Sequence, residues 1–545
     1  MNPQPPVTRM RIDARTSSGE GTALADFPML RDQLGALRAR LAEIGWVPWL
    51  ILGLALFLRF FLLEIKPPHF DEGINGWFVD AHIVKDGFYK YDPTNYHGPL
   101  HFYVLFLSET LFGRHLWALR LPVVLISIAS VWLCLKFEPL VGRTVSRIAA
   151  LAMAISPGFV FYGRYSIHEA WLVFFSMMFV LGLLGLWKFG TTKFLWCTGM
   201  GVAGMILTKE TYIIHLGCAA LAVPVLMVSN ALNPLPDFKR VRQTWTYVDL
   251  VFVIAVAVAA IVFFYSGTFF HWAGVKDLYR AYTAWFATGQ EGHGHEKPWH
   301  YWVVKLMVRY EWPALVGLAL CVFCQRLKDV SLRYLAIYGV GALAAYSIIH
   351  YKTPWCIISI IWPFLFIFGA TSLVVPLTDR RPVYFASALL LIHSLAMTVW
   401  LNYFRCTTDT EPYVYVQTYN DIRKFTVPLL KMARSNPAAY HLSGSIIRGS
   451  SYPLPWILGD FSRVGYYEKG NLPGKVDTDF LLVEESRIPE VEAKLRDSYY
   501  TDTLKIRAYQ DPSKAYFRAS VFKNLFPNRA PDFKGKIPAN ESRAK

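Results

Sequence analysis

His69-Phe70-Asp71-Glu72 sets two adjacent carboxylates behind Pro67 and Pro68, which stop a preceding apolar helix and hold the next residues at its end. Neighbouring carboxylates repel each other and lose water at a membrane surface, which raises a pKa towards the range of a general base. Acids also favour the first turn of a helix, and 73–85 looks helical, so a solvated loop leading into a helix fits the pair equally well. Arg59 lies inside the apolar run itself, where an arginine is costly and faces a partner or a cavity unless it snorkels to the surface. Arg120 opens a later apolar run and suits an interfacial anchor as well as a site.

Gly163-Arg164-Tyr165-Ser166-Ile167-His168-Glu169 crowds cations and an acid into a short turn between apolar runs that needs none of them, although Glu169 also suits a helix N-terminus. Lys209 with Glu210, and His350, Tyr351 and Lys352, occupy turns of the same kind. Cations gathered at one surface from the ends of several helices are what a phosphate at a membrane interface requires. His293, His295 and His300, with His271 nearby, form no compact metal-ligand spacing and suit loop histidines that contact substrate or nothing. Cys321 and Cys324 make a CxxC inside an apolar helix with no second ligand pair. The other cysteines are scattered, and no disulfide framework is implied.

The elements that must position these residues are apolar. The chain has 545 residues, 54% hydrophobic and 16% aromatic, with positive mean hydropathy, and its apolar residues come in blocks of membrane-spanning length. The net charge of +16 is carried mostly by short loops between these blocks, not by a basic stripe interleaved with aromatics, which argues against nucleic acid. Residues 1–45 are polar and arginine-rich and suit a cytoplasmic tail, not a cleavable signal. In it Leu30, Leu34, Leu37, Leu41 and Ile44 share one helical face, for the membrane surface or for docking on a loop.

Parity fixes the topology. The block at 100–113 is only about fourteen residues long and falls in the range of interfacial segments. If it lies on the outer surface, then Arg143, Lys188, Lys239, Arg240, Arg326 and Arg380 all stay on the side of the basic tail. The expectation is a mainly α, polytopic protein of about eleven spanning helices over 46–401 with outer juxtamembrane helices. The loops 66–118, 164–169, 271–310 and 350–354 then lie outside. From 402 to 545 the apolar runs give way to period-two segments at 479–484 and 504–509, as in a small extracytoplasmic α/β domain.

With the motifs in this order, the chain resembles the GT-C membrane glycosyltransferases. The likeness is to relatives of the dolichyl-phosphate-mannose protein mannosyltransferases and of the lipid A aminoarabinose transferase, and most of all to the flippase-activity-associated proteins of archaeal-type N-glycosylation and their bacterial relatives. It runs from Arg59 to Trp355 through His-Phe-Asp71-Glu72, His97-Gly98-Pro99-Leu100, Leu119-Arg120-Leu121-Pro122, the 164–169 turn, Leu207-Thr208-Lys209-Glu210 and Tyr351-Lys352-Thr353-Pro354-Trp355. His168-Glu169 departs from the Asp more usual at the second acidic position, and Glu210 stands where Gly is common.

The resemblance implies a GT-C-type fold and a polyprenyl-phosphate-sugar donor in the plasma (inner) membrane, with a glycan, lipid or protein as acceptor. Asp71 would be the base with Glu72 supporting it. Arg59, Arg120 and Lys209 would hold the donor phosphate, and His97, Arg164, His168, Glu169 and Lys352 would contact substrate. A divalent metal is left open. The alternative function is a flippase, or flippase partner, that binds a lipid-linked sugar without transferring it. A small-molecule transporter ranks last, because no paired internal repeat is visible.

Overall fold

Helices occupy every apolar run expected from the sequence. The computed structural model describes residues 45–535 apart from 237, 239–241, 292–293 and 469–470. The tail helix expected over 30–44, Lys239, Arg240 and His293 therefore lie outside the described residues. Residues 51–545 form one compact unit that holds both the helices that follow and a C-terminal sheet.

Among the described residues five helical stretches are long and apolar enough to cross a membrane: Leu116–Val141, Glu169–Phe189, Tyr212–Leu232, Tyr247–Tyr265 and Arg381–Phe404. Val47–Phe60, Leu100–Phe112, Trp312–Cys321 and Pro354–Gly369 are shorter. Proline accounts for some of the shortening. The run expected at 145–163 is broken into Arg143–Ile155 and Pro157–Tyr162, because Pro157 has no N–H to continue the ladder and Ser156 instead caps the new helix through Phe159 N. Helix Ile357–Gly369 is buried along its whole length, packed against Arg143–Ile155, Trp312–Cys321 and Val330–Ile348. The segment assigned to the surface by parity is a 13-residue helix, Leu100–Phe112, stopped by Gly113 at a φ of 80° that favours glycine.

The C-terminal part is α/β, as its patterning predicts. Strands β1 (Ser443–Ile447), β2 (Arg463–Tyr467), β3 (Phe480–Glu484), β4 (Tyr499–Leu504) and β5 (Ser513–Arg518) form one sheet in the order β2-β1-β3-β5-β4. β1 runs parallel to β2 and β3, and β5 is antiparallel to β3 and β4. The carboxyl ends of β1, β3 and β4 thus share one edge. Alternation puts Phe480, Leu482 and Phe517 on one face with Phe425 and Leu429, and Leu481, Val483 and Tyr516 on the other. The strand expected at 504–509 instead ends at Leu504, since the aromatic and β-branched residues precede it, and 505–512 is a connecting loop.

Candidate active site

Helix Phe70–Phe78 is the anchor of the site. His69 caps it: Nδ1 accepts from Asp71 N at 3.1 Å, while Nε2 lies 2.8 Å from Tyr415 O and must donate. That fixes the neutral tautomer, so the 3.7 Å approach of His69 Nδ1 to Asp71 Oδ2 is not an ion pair. Burial pushes the His69 pKa down, in agreement. Glu72 points inward and is fully buried. It accepts from His69 N (2.8 Å), Ser166 N (2.8 Å), Arg120 Nε (2.8 Å) and Arg120 Nη2 (2.7 Å). Burial opposes the Glu72 charge, but the Arg120 guanidinium holds the carboxyl below its usual range. Asn75 Nδ2 donates to Ser166 O at 2.8 Å, so the 164–169 turn hangs on this helix at two points.

One helical position away, Asp71 keeps a side-chain exposure of 32% and stands in the wall of a cavity of about 660 Å³. Lys209, Glu210 and His97 share the wall, with Tyr96, Tyr351 and Trp355 among its aromatic lining. Lys209 Nζ lies 2.7 Å from Glu169 Oε1 and 3.6 Å from Glu210 Oε1, and His97 Nδ1 bonds Glu210 Oε2 at 2.8 Å. Burial disfavours the ammonium, but Glu169 and then Glu210 raise its pKa well above the ordinary value. Only the Glu169 contact is a full hydrogen bond, so Lys209 keeps N–H groups for an anion. The backbone joins the two loops: Gly98 N donates to Thr208 O and Leu100 N to Leu207 O, both at 3.1 Å.

Arg59 and Arg120, expected around the phosphate, and Arg164, expected to contact substrate, all donate to backbone carbonyls. Arg59 donates to Ser127 Oγ, Ala55 O, Ala154 O and Met153 O, and so caps the end of Arg143–Ile155 left open by Pro157. Arg164 binds Leu58 O, Phe61 O and Leu62 O at the end of the first helix. Beyond Glu72, Arg120 takes Leu63 O, Lys66 O and Pro67 O of the proline-stopped segment. None of these three lines the cavity, because a buried carbonyl without a helical partner needs a donor, and an arginine supplies several. Lys352 is also absent from the wall. It is buried and donates to Lys297 O and Ile349 O, securing the pairing of 295–297 with 350–352. His168 is buried too, its ring packed at a tilt between those of His97 and His101, with centroids 4.5 and 4.4 Å away, and burial drives its pKa well below the usual histidine value.

Other residues escaped the sequence. Lys66, buried over the rings of Phe161 and Tyr165, lacks a motif. Arg507 enters the cavity wall from the loop after β4, where a basic residue following a strand was the only available signal. Among the described residues no group of three or more His, Cys, Asp or Glu is placed to hold a metal ion, and the carboxylates of Glu169 and Glu210 are gathered around the Lys209 ammonium.

The architecture has solved counterparts. ArnT from Cupriavidus metallidurans in the apo state superposes with a TM-score of 0.58 at 14% identity, covering 88% of this chain and 99% of that one. Its structure bound to undecaprenyl phosphate gives 0.57 at 14% identity, covering 87% and 98%. The chain has the GT-C fold. Residues 96–264 of the chain match the family described as dolichyl-phosphate-mannose-protein mannosyltransferase. A further likeness is to the putative mannosyltransferase YkcB of Bacillus subtilis, 36% identical over 81 residues. That alignment spans 15% of this chain and 11% of that protein.

Proposed function

We propose that the GT-C chain is a glycosyltransferase that moves a sugar from a polyprenyl-phosphate carrier to an acceptor at the extracytoplasmic face of the plasma (inner) membrane, with inversion. The observation that carries this reading is the division of labour between adjacent carboxylates. Asp71 stands in the cavity with part of its side chain free, while Glu72 is buried with every oxygen engaged. Asp71 then takes the proton of the acceptor hydroxyl as its oxygen bonds the anomeric carbon, and the carbon–phosphate oxygen bond breaks with its electron pair on the phosphate. Lys209, kept as an ammonium, stabilises the charge that develops there. Tyr96, Tyr351 and Trp355 offer ring faces for a sugar. The undecaprenyl phosphate in one ArnT structure supports a lipid of this class as donor. A division into a membrane part, 46–401, and an extracytoplasmic part, 402–545, accompanies this orientation.

Labelled sugar transfer from polyprenyl-phosphate donors in purified membranes tests the proposal. Asp71→Asn should slow transfer by about 10²–10⁴-fold, the contribution of a positioned base. Equal rates in D71N and the parent would remove Asp71 from the role. A flippase that binds the same lipid would translocate it undiminished in D71N, with no transfer by any variant.

A further inference from the structure

Two fixed cations face the cavity, and they are held differently. Lys209 sits between carboxylates, whereas Arg507 comes from the C-terminal sheet and has no ion-pair partner among the described residues. Arg507 follows β4 and Arg448 follows β1, which brings both to the sheet edge shared by the carboxyl ends of those strands. Both are buried, at 4% and 1% exposure.

Arg448 donates to Ser450 O (3.0 Å), Ser513 Oγ (2.6 Å) and Gln510 Oε1 (2.7 Å), all neutral oxygens. Arg507 donates through Nη2 to Ser450 Oγ at 3.1 Å and stacks 4.1 Å over the ring of Phe70. Its Nε is buried without an acceptor, and so is the hydroxyl of Ser451 in the same loop as Ser450. Burial first, then Arg448, bring the Arg507 pKa down to about 10 against the pull of Asp71. Glu484 acts on Arg448 and Asp71 on Arg507 from a distance, but neither guanidinium has an ion-pair contact among the described residues, and with an idle N–H the site can take a further negative charge.

We infer that Arg507, positioned by Arg448, binds an anionic group, a phosphate or carboxylate, carried by the acceptor, so that the C-terminal sheet selects what is glycosylated. The inference rests on the transferase reading above. In a displacement with inversion the acceptor enters beside the base and the phosphate leaves from the opposite face. Arg507 stacks on Phe70, the neighbour of Asp71, which puts it on the entering side. A carboxylate or phosphate there would accept from Nε and neutralise the guanidinium pair.

Binding to the full-length protein in lipid nanodiscs tests this with two probes, glycerol 3-phosphate (against glycerol) and undecaprenyl phosphate. The parent should bind glycerol 3-phosphate and not glycerol. Arg507→Gln should weaken that binding roughly tenfold or more while leaving undecaprenyl phosphate within about twofold, and Lys209→Gln should do the reverse. Arg507→Lys should recover part of the loss. Equal glycerol 3-phosphate binding in R507Q and the parent overturns the site. Loss of undecaprenyl phosphate binding in R507Q overturns the assignment to the acceptor, since the anion would then be the donor's. Failure of the parent to bind undecaprenyl phosphate sinks the donor reading alone, because the arginine site stands on the other probe. Should R507Q not fold, the parent suffices: glycerol 3-phosphate must raise its thermal midpoint more than sodium chloride of equal ionic strength, and equal shifts overturn the site.

Discussion

Asp71 and Glu72 are consecutive in sequence and opposite in role, and their variants should separate accordingly. D71N removes a partly exposed group and should leave the thermal midpoint near that of the parent while slowing transfer as above. Glu72→Gln unpairs the buried Arg120 and should cost about 3–5 kcal/mol of stability, read as a lowered thermal midpoint in detergent. The pH dependence follows from the depressed Glu72 pKa. Its stabilisation is complete above the unfolded value of 4.5 and is lost as pH falls towards the lower folded value. The parent should therefore lose stability steeply below about pH 4.5, and E72Q, starting lower, should show a flatter acid limb. A midpoint in E72Q equal to the parent's throughout would contradict the clamp. The sequence displayed both carboxylates and every arginine around them. It did not display which carbonyls would need a donor where helices break or end, and such carbonyls engage Arg59, Arg120 and Arg164.

The elements of the site meet through close contacts at glycine. A Cβ on Gly98 would stand 2.2 Å from the backbone of Leu207, where the 97–100 and 207–210 loops exchange hydrogen bonds. Gly98→Ala must part the loops, withdraw His97 from Glu210 and loosen Lys209. The expected result is at least about a tenfold loss of transfer, since sub-ångström shifts at a reacting site carry such costs. Wild-type rates in G98A would show that the loop junction does not position the site. On helix Phe70–Phe78, Gly73 and Gly76 allow Pro453 and Trp456 of the C-terminal part to approach so closely that a Cβ would overlap them, at 2.5 and 2.2 Å. Sequence patterning could find the helix but not the partner that fills its glycine face.

At the scale of the whole molecule, the sheet is tied to the helices by a polar clasp. Arg114 binds both oxygens of Asp80 at 2.7 Å, Asp460 at 2.9 Å and Trp456 O at 3.1 Å, and Trp456 Nε1 donates to Glu109 at 2.8 Å. If Arg507 works from this sheet, the clasp sets its distance from Asp71. Arg114→Ala should raise hydrogen exchange in the segment 453–461 and slow transfer several-fold, with the helices unaffected. Unchanged exchange across 453–461 would show that the clasp does not hold the sheet in place.

The sequence alone determined that this is a polytopic helical protein with an α/β C-terminal part. Apolar runs and period-two alternation report directly on which residues must leave water, and the order of its local motifs reported the GT-C resemblance. It also put forward Asp71 and Lys209, and through the resemblance His97, all three of which line the cavity. Only the tertiary structure decided which cations face the cavity. That depends on where unpaired backbone carbonyls fall after helices break, on which β-strand ends share an edge, and on what packs over Phe70. Lys209 and Arg507 face the cavity because the first is held by carboxylates from two separate turns, and the second, more than 400 residues further along the chain than Asp71, is carried there by the loop after β4.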